Sequence, residues 1–251
     1  MSRAYRLVPF ALGFGTLVIL IALMEALIRA GVINKFIVPT PLEIGGAFSR
    51  VIVEEDIPHR FLVTARESFW AAVLLVVVGV GLGVLLYRIQ LLRDATETWV
   101  AALASAPTVL MYPLFLVIFG RSEKTIIMMG FVAGVPAVIL KTVEGHAGTR
   151  RVLIDVGRSF RLSPAQLFWK IMLPAAVPTL CTGIRLGLVY ALISVVGIEF
   201  LINFGGLGEL IDDLAQRWEI PMMYGAISFV VLTSICFFYL TERLERWLRR
   251  A

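Results

Sequence analysis

The chain has 251 residues, of which 59% are hydrophobic and 16% charged, with a mean hydropathy of +0.89. Soluble domains run about 45–50% apolar and about 25% charged, so this composition excludes a water-soluble globular domain, a disordered tail and a collagen or disulfide scaffold. The net charge of +5 is scattered over separate loops, which argues against a nucleic-acid partner and for a multi-pass chain in a lipid bilayer.

A bilayer span needs about 20 apolar residues, and six stretches approach that length. Leu7 to Met24 is uncharged and continues past Glu25 to Ile28. It outruns the roughly 7–15-residue apolar region of a signal peptide and reads as an uncleaved anchor. The segment Ala30 to Glu67 follows as a long outer loop, with an extended backbone expected at Val38-Pro39-Thr40-Pro41. Ser68 to Tyr87 is the second span, where Gly79, Gly81 and Gly83 would let a neighbouring helix approach closely. Thr98 to Gly120 is the third, and Pro107 and Pro113 are expected to kink it because each lacks a backbone donor. Thr125 to Leu140 is short, with Lys124 and Lys141 able to snorkel at its ends. Ala175 to Asn203 carries Arg185 and Glu199, and Pro221 to Leu240 is uncharged. With the N-terminus in the cytoplasm, 14 Lys and Arg fall in inner segments and 8 in outer ones, so the positive-inside rule puts both termini inside.

The inner segment between the fourth and fifth spans is patterned. Val152, Val156 and Phe160 recur at i, i+4 and i+8, with Arg151, Asp155, Arg158 and Ser159 away from that stripe, which marks an amphipathic helix. Ser163, Pro164 and Gln166 then fit N-cap, N1 and N3 of a capping box, opening a second helix expected to run to Pro174. Two short helices on a tight turn would make either a docking knob or an interfacial element lying on the bilayer.

No other chemistry competes. Cys181 and Cys236 are lone thiols in apolar runs, and His59 and His146 lack metal-ligand spacing and read as ordinary loop residues. No catalytic or metal site is expected. Gly120-Arg-Ser-Glu-Lys124-Thr125 lacks the second glycine and the spacing of a phosphate-binding loop, so any ATP-driven process would need partner subunits.

The inner segment resembles the EAA loop of binding-protein-dependent permeases, the membrane subunits of type I ABC importers in the MetI-like superfamily. Asp155-Val156-Gly157 stands at the Glu-Ala-Ala positions, and Ile171-Met172-Leu173-Pro174 matches the motif's end. Asp replaces Glu, and Arg161 stands where the motif places glycine; arginine takes the left-handed turn a glycine would permit only with strain, so either the turn differs locally or the docking is unusual. Thr182 to Leu186, Val196 to Phe200, Gly206 to Ile211 and Val38 to Leu42 resemble the nitrate/sulfonate/taurine branch. The resemblance implies an all-α integral membrane fold of about six transmembrane helices with cytoplasmic coupling helices. Residues 1–67 would form an N-terminal anchor and outer loop, and residues 68–251 a permease core with a coupling loop at 144–174. Contact with an ATPase falls to Asp155, Val156, Gly157, Arg158, Ser159, Phe160, Arg161, Ser163 and Pro164. The implied partners are two cytoplasmic ATP-binding subunits holding ATP and magnesium, a second permease copy in a homodimer, and an extracytoplasmic substrate-binding protein; this chain itself binds no cofactor. The implied setting is the bacterial plasma membrane, and the implied cargo a small anion or, in other relatives, a pyrimidine-like or aromatic compound.

Arg185, Glu199 and Asn203 share one helical stripe, since steps of 14 and 4 residues return to nearly the same face. Intramembrane charges are costly and usually face a path or a partner, so the three are candidates for the translocation path. The alternative places Arg185 and Glu199 near opposite interfaces, roughly 21 Å apart. A self-contained secondary transporter or channel would favour inverted repeats or charges on several spans, and a membrane enzyme would need clustered His, Asp or Cys.

Overall fold

The structure is a computed structural model that describes residues 3–248. Arg249 and Arg250, counted above among the inner arginines, lie outside the described residues. The chain divides into two compact units, Met1–His59 with Leu210–Val231, and Arg60–Glu209 with Leu232–Ala251.

In the first unit, α1 (Arg3–Arg29) is long and apolar, with most of its apolar side chains exposed from Ala11 onward, as lipid requires of a helix whose backbone is internally satisfied. The expected outer loop is not loop throughout. It folds into α2 (Pro41–Glu54) and the start of α3 (Ile57–Arg88). Thr40 is the N-cap of α2, its hydroxyl accepting from the Glu43 amide while the Glu43 carboxylate accepts from the Thr40 amide. Pro41 at N1 has no donor to waste there, so the second proline starts a helix rather than prolonging the extended backbone. Ala47, Val51 and Ile57 form a core with Leu210, Leu214, Met222 and Ala226. Those last residues belong to α10 (Gly206–Gln216) and α11 (Ile220–Leu248). Arg217 grips Glu55 with two hydrogen bonds of 3.0 and 2.8 Å, and this carboxylate, with Asp213 and Glu219 nearby, pushes the guanidinium pKa upward.

The second unit is built on α3, α4 (Gln90–Ser105), α5 (Tyr112–Phe119), α6 (Glu123–Ala147) and α9 (Leu173–Ile202). α6 and α9 meet backbone to backbone. A Cβ on Gly187 would lie 2.9 Å from the Gly134 carbonyl oxygen, and one on Gly130 would lie 3.3 Å from that of Ala191. Small residues spaced by four therefore do the packing, the membrane counterpart of a hydrophobic seam. α3 closes on α6 the same way at Gly79 and Gly83, whereas Gly81 faces open space. The core falls into two clusters, around Met129, Val195 and Ile198, and around Leu75, Val138 and Ile139.

Five helical runs among the described residues are long and apolar enough to cross a membrane, and a sixth arises if the bent pair of α4 and the stretch Thr108–Phe119 counts as one. That pair turns through 98° at Ala106–Pro107. Pro113 sits in the first turn of α5 and kinks nothing. The fourth span, read as ending at Leu140, continues to Ala147 because Lys141 stays helical and pairs with Glu144 one turn on, at 2.6 Å. His146 is in its last turn, buried rather than in a loop.

Candidate functional site

The elbow between α6 and α9 begins with α7 (Arg151–Ser159). Val152 and Phe160 are 71% and 77% exposed, and Val156 is exposed too, so the apolar stripe faces away from its own chain. The opposite side is buried through Gly157, where a Cβ would meet Ile171 Cδ1 at 2.5 Å and Leu167 Cδ1 at 2.6 Å. Asp155 and Arg158 are exposed and 3.8 Å apart, and the Ser159 hydroxyl donates to the Asp155 carbonyl. α7 ends with the Arg161 amide donating to Arg158 O at 2.8 Å and the Leu162 amide to Gly157 O at 3.1 Å. These paired bonds form a Schellman motif, and its left-handed position is Arg161, at φ +52°. The turn a glycine would permit is therefore kept, with arginine bearing the strain.

Ser163 then caps α8 (Pro164–Leu167): its hydroxyl accepts from the Gln166 amide, the Gln166 side chain accepts from the Ser163 amide, and Pro164 sits in the first turn. The second helix does not stop at Pro174. One π turn, Phe168–Met172, follows, with the Leu173 amide donating to Phe168 O, and the chain runs straight into α9. Pro174 falls in the first turn of α9, where the wider π turn absorbs the missing donor. Phe168 stacks on the buried His146 at 5.5 Å with rings 6° from parallel, and the Arg88 guanidinium lies 4.6 Å from the Phe168 centroid. The elbow is thus fixed to the ends of α3 and α6 and continuous with α9.

The three charged or polar residues of the fifth span separate. Arg185, 26% exposed, forms an ion pair with Glu245 at 2.9 Å, the N–H not aligned for a hydrogen bond; Thr182 donates to the same carboxylate, and the Phe238 ring lies 5.6 Å from the guanidinium. Glu199 is fully buried and accepts from the Thr64 hydroxyl at 3.0 Å and the Gly208 amide at 2.8 Å, while Thr64 accepts from the Leu207 amide at 2.9 Å. Gly206 and Gly208 leave no room for a side chain: a Cβ on either would collide with Glu199. Asn203 ends α9 in a left-handed conformation, with its carbonyl accepting from Arg121. A second buried carboxyl, Glu67 on α3, lies against Glu199. Thr64 and Glu67 were not singled out in the sequence; a Thr and a Glu one turn apart at the start of an apolar run were the signal.

Apolar helices long enough to cross a bilayer, with a capped, apolar-faced elbow fused to one of them, define a multi-pass membrane component. Residues 75–250 match the family described as binding-protein-dependent transport system inner membrane component, and the chain belongs to that family. It is 27% identical over 237 residues to the putative aliphatic sulfonates transport permease protein SsuC of Bacillus subtilis (strain 168), covering 91% of this chain and 84% of that one. It is 30% identical over 159 residues to the nitrate import permease protein NrtB of Synechocystis sp., covering 63% of this chain and 58% of that one. Among solved structures, an inward-facing conformation of the MetNI methionine ABC transporter superposes with a TM-score of 0.64 at 21% identity, over 74% of this chain and 93% of that one. The fold is that of type I ABC importer permeases, and the chain is an ABC importer permease embedded in a membrane by several passes. The family is a permease component that works with ATP-binding subunits and a substrate-binding protein.

Proposed function

We propose that two copies of this chain form the translocation unit of a bacterial inner-membrane importer, with both termini and the 144–174 elbow in the cytoplasm. Each elbow docks into an ATP-hydrolysing subunit, and an external binding protein delivers a small anion of the nitrate or sulfonate kind. The observation that carries the reading is the exposed stripe of Val152, Val156 and Phe160 on α7. Burying such a side chain stabilises by about 1.5–3 kcal/mol, and a capped elbow continuous with α9 supplies a surface for a partner to push. Asp155, Arg158, Ser159 and Arg161 rim that surface, while Gly157, Ser163 and Pro164 keep its shape. The substrate assignment leans on the SsuC and NrtB relatives. It does not lean on Arg185, whose charge is met by Glu245.

Replacing residues 151–163 by a glycine-serine tether of equal length tests this. ATP-driven uptake is expected to vanish and the ATP-binding subunits to stop co-purifying, with membrane insertion unchanged. Undiminished uptake through the tethered chain refutes the docking role.

A further inference from the structure

The break in the third span opens a cavity of about 260 Å³. Its walls are Ala106, Pro107 and Thr108 at the break, Ala133 of α6, and Tyr190 and Ser194 of α9. Two features set it apart from a packing defect. Ser194 is 4% exposed and its hydroxyl has no hydrogen-bond partner, although a serine in a helix can bond back to the preceding turn. The backbone also leaves the helix at Ala106–Pro107, and both residues are exposed. Irregular backbone at membrane depth is tolerated only when it is covered by protein or lines a water-filled cavity, and broken helices of that kind hold solute in other transporters.

The chemistry of the lining narrows the solute. Thr108, Tyr190 and Ser194 bring three hydroxyls among the lining residues, and among the described residues no charged side chain lines the cavity. Arg185 and Glu199 are engaged elsewhere. Neutral donors suit an anion whose charge is spread over several oxygens, and they release it more readily than a buried ion pair would; a site on a path must bind weakly enough to let go. The volume lies just under the roughly 300–1,000 Å³ of pockets for drug-sized ligands, so the solute is compact. We propose that this cavity is a cargo contact on the translocation path, where a small oxyanion accepts hydrogen bonds from Thr108, Tyr190 and Ser194. This rests on the permease reading above.

The test uses the full transporter with Cys181→Ser and Cys236→Ser as background. Thr108→Cys and Ile193→Cys, the latter also on the cavity wall, are labelled with 2-sulfonatoethyl methanethiosulfonate, a water-soluble anion. Labelling is expected to run at least about tenfold faster than at Ile235→Cys, an exposed apolar position on α11, because thiol reaction requires the hydrated thiolate. Labelling no faster than that control puts the break against lipid or a second copy and overturns the site, whatever the transporter does. In parallel, Ser194→Ala and Tyr190→Phe are expected to raise the KM for nitrate or ethanesulfonate uptake by about 3- to 10-fold, the effect of one lost hydrogen bond, with the amount of assembled transporter unchanged. An unchanged KM in both variants overturns the hydroxyl contacts. If the unmutated chain imports neither anion while labelling stays fast, the cargo assignment of the permease reading fails and the water-lined site stands.

Discussion

Substituting Gly134 by alanine is expected to force α6 and α9 apart. The added Cβ would sit well inside 3.0 Å of the Gly187 carbonyl oxygen, with the Gly187 carbonyl carbon at 3.0 Å and its Cα at 3.3 Å. The obstacle is backbone on a facing helix, so no rotamer change relieves it. Ordinary contact returns only if α6 and α9 separate by something on the order of 0.5–1 Å, which forfeits a quarter to a half of the dispersion energy of each contact along the seam. Overpacking of this kind costs about 1–3 kcal/mol, offset by at most about 1 kcal/mol from the better helix propensity of alanine. Gly81 is the internal control: it is also helical, yet a Cβ there meets nothing within 4 Å, so Gly81→Ala keeps the propensity gain without the clash. Thermal unfolding of the detergent-solubilised chain, followed by loss of the monodisperse species, compares the two. Gly134→Ala should melt below the unmutated chain and Gly81→Ala at or above it. Equal melting of the two variants refutes the close approach of α6 and α9 as the basis of the fold.

Two further outcomes follow from the polar ties. Glu199→Leu strips the acceptor from the buried Gly208 amide, while Thr64 keeps the Arg60 carbonyl at 3.3 Å as an alternative. One orphaned donor implies a loss of about 1–3 kcal/mol, whereas Glu199→Gln retains an acceptor oxygen and should melt close to the parent; a leucine variant as stable as the glutamine one refutes the contribution of the Glu199–Gly208 hydrogen bond. Glu43 is held below the ordinary glutamate value of 4.5, first by its contact with Lys35 and next by the Thr40 amide. A depressed folded-state carboxyl adds stability above the unfolded value that is lost as pH falls through the folded one. The stability difference between the parent and Glu43→Gln should therefore be present at neutral pH and shrink on acidification below about pH 4.5, and a difference that grows on acidification contradicts the assignment.

Apolar length was enough to locate five spans, because hydrocarbon demands it; it did not show that the third stretch breaks through 98° at Ala106–Pro107 or that the fourth runs on to Ala147. Local capping chemistry was legible too: the box at Ser163, Pro164 and Gln166 forms as its spacing predicts. The same pattern at Thr40, Pro41 and Glu43 also forms a box, although the flanking prolines by themselves favour an extended backbone. Long-range pairing was not legible. Thr64 and Glu199 are 135 positions apart, and the other donors to this cluster are backbone amides, which carry no sequence signature. Arg185 was conspicuous as a charge in a span, but nothing local names Glu245 as its partner. Hydropathy flags that a buried charge must be met; only the fold says by what.

The elbow owes its stiffness to several weak devices acting in series. A Schellman turn closes α7 although its left-handed residue is an arginine, a conformation that costs an L-residue about 1–2 kcal/mol. The packing of Gly157 against Leu167 and Ile171 leaves α7 no other place to lie. The capping box fixes where α8 begins, the π turn removes the break that Pro174 would impose, and the stack of His146 on Phe168 pins the joint to α6. Loosening any one of these would let a push on α7 dissipate in the turn. Together they make the elbow and α9 one continuous body, with Glu199 near its far end accepting from Thr64 and Gly208. Under the docking proposed above, a displacement imposed at Val152 and Phe160 would be carried along α9 past Tyr190 and Ser194, beside the break in the third span.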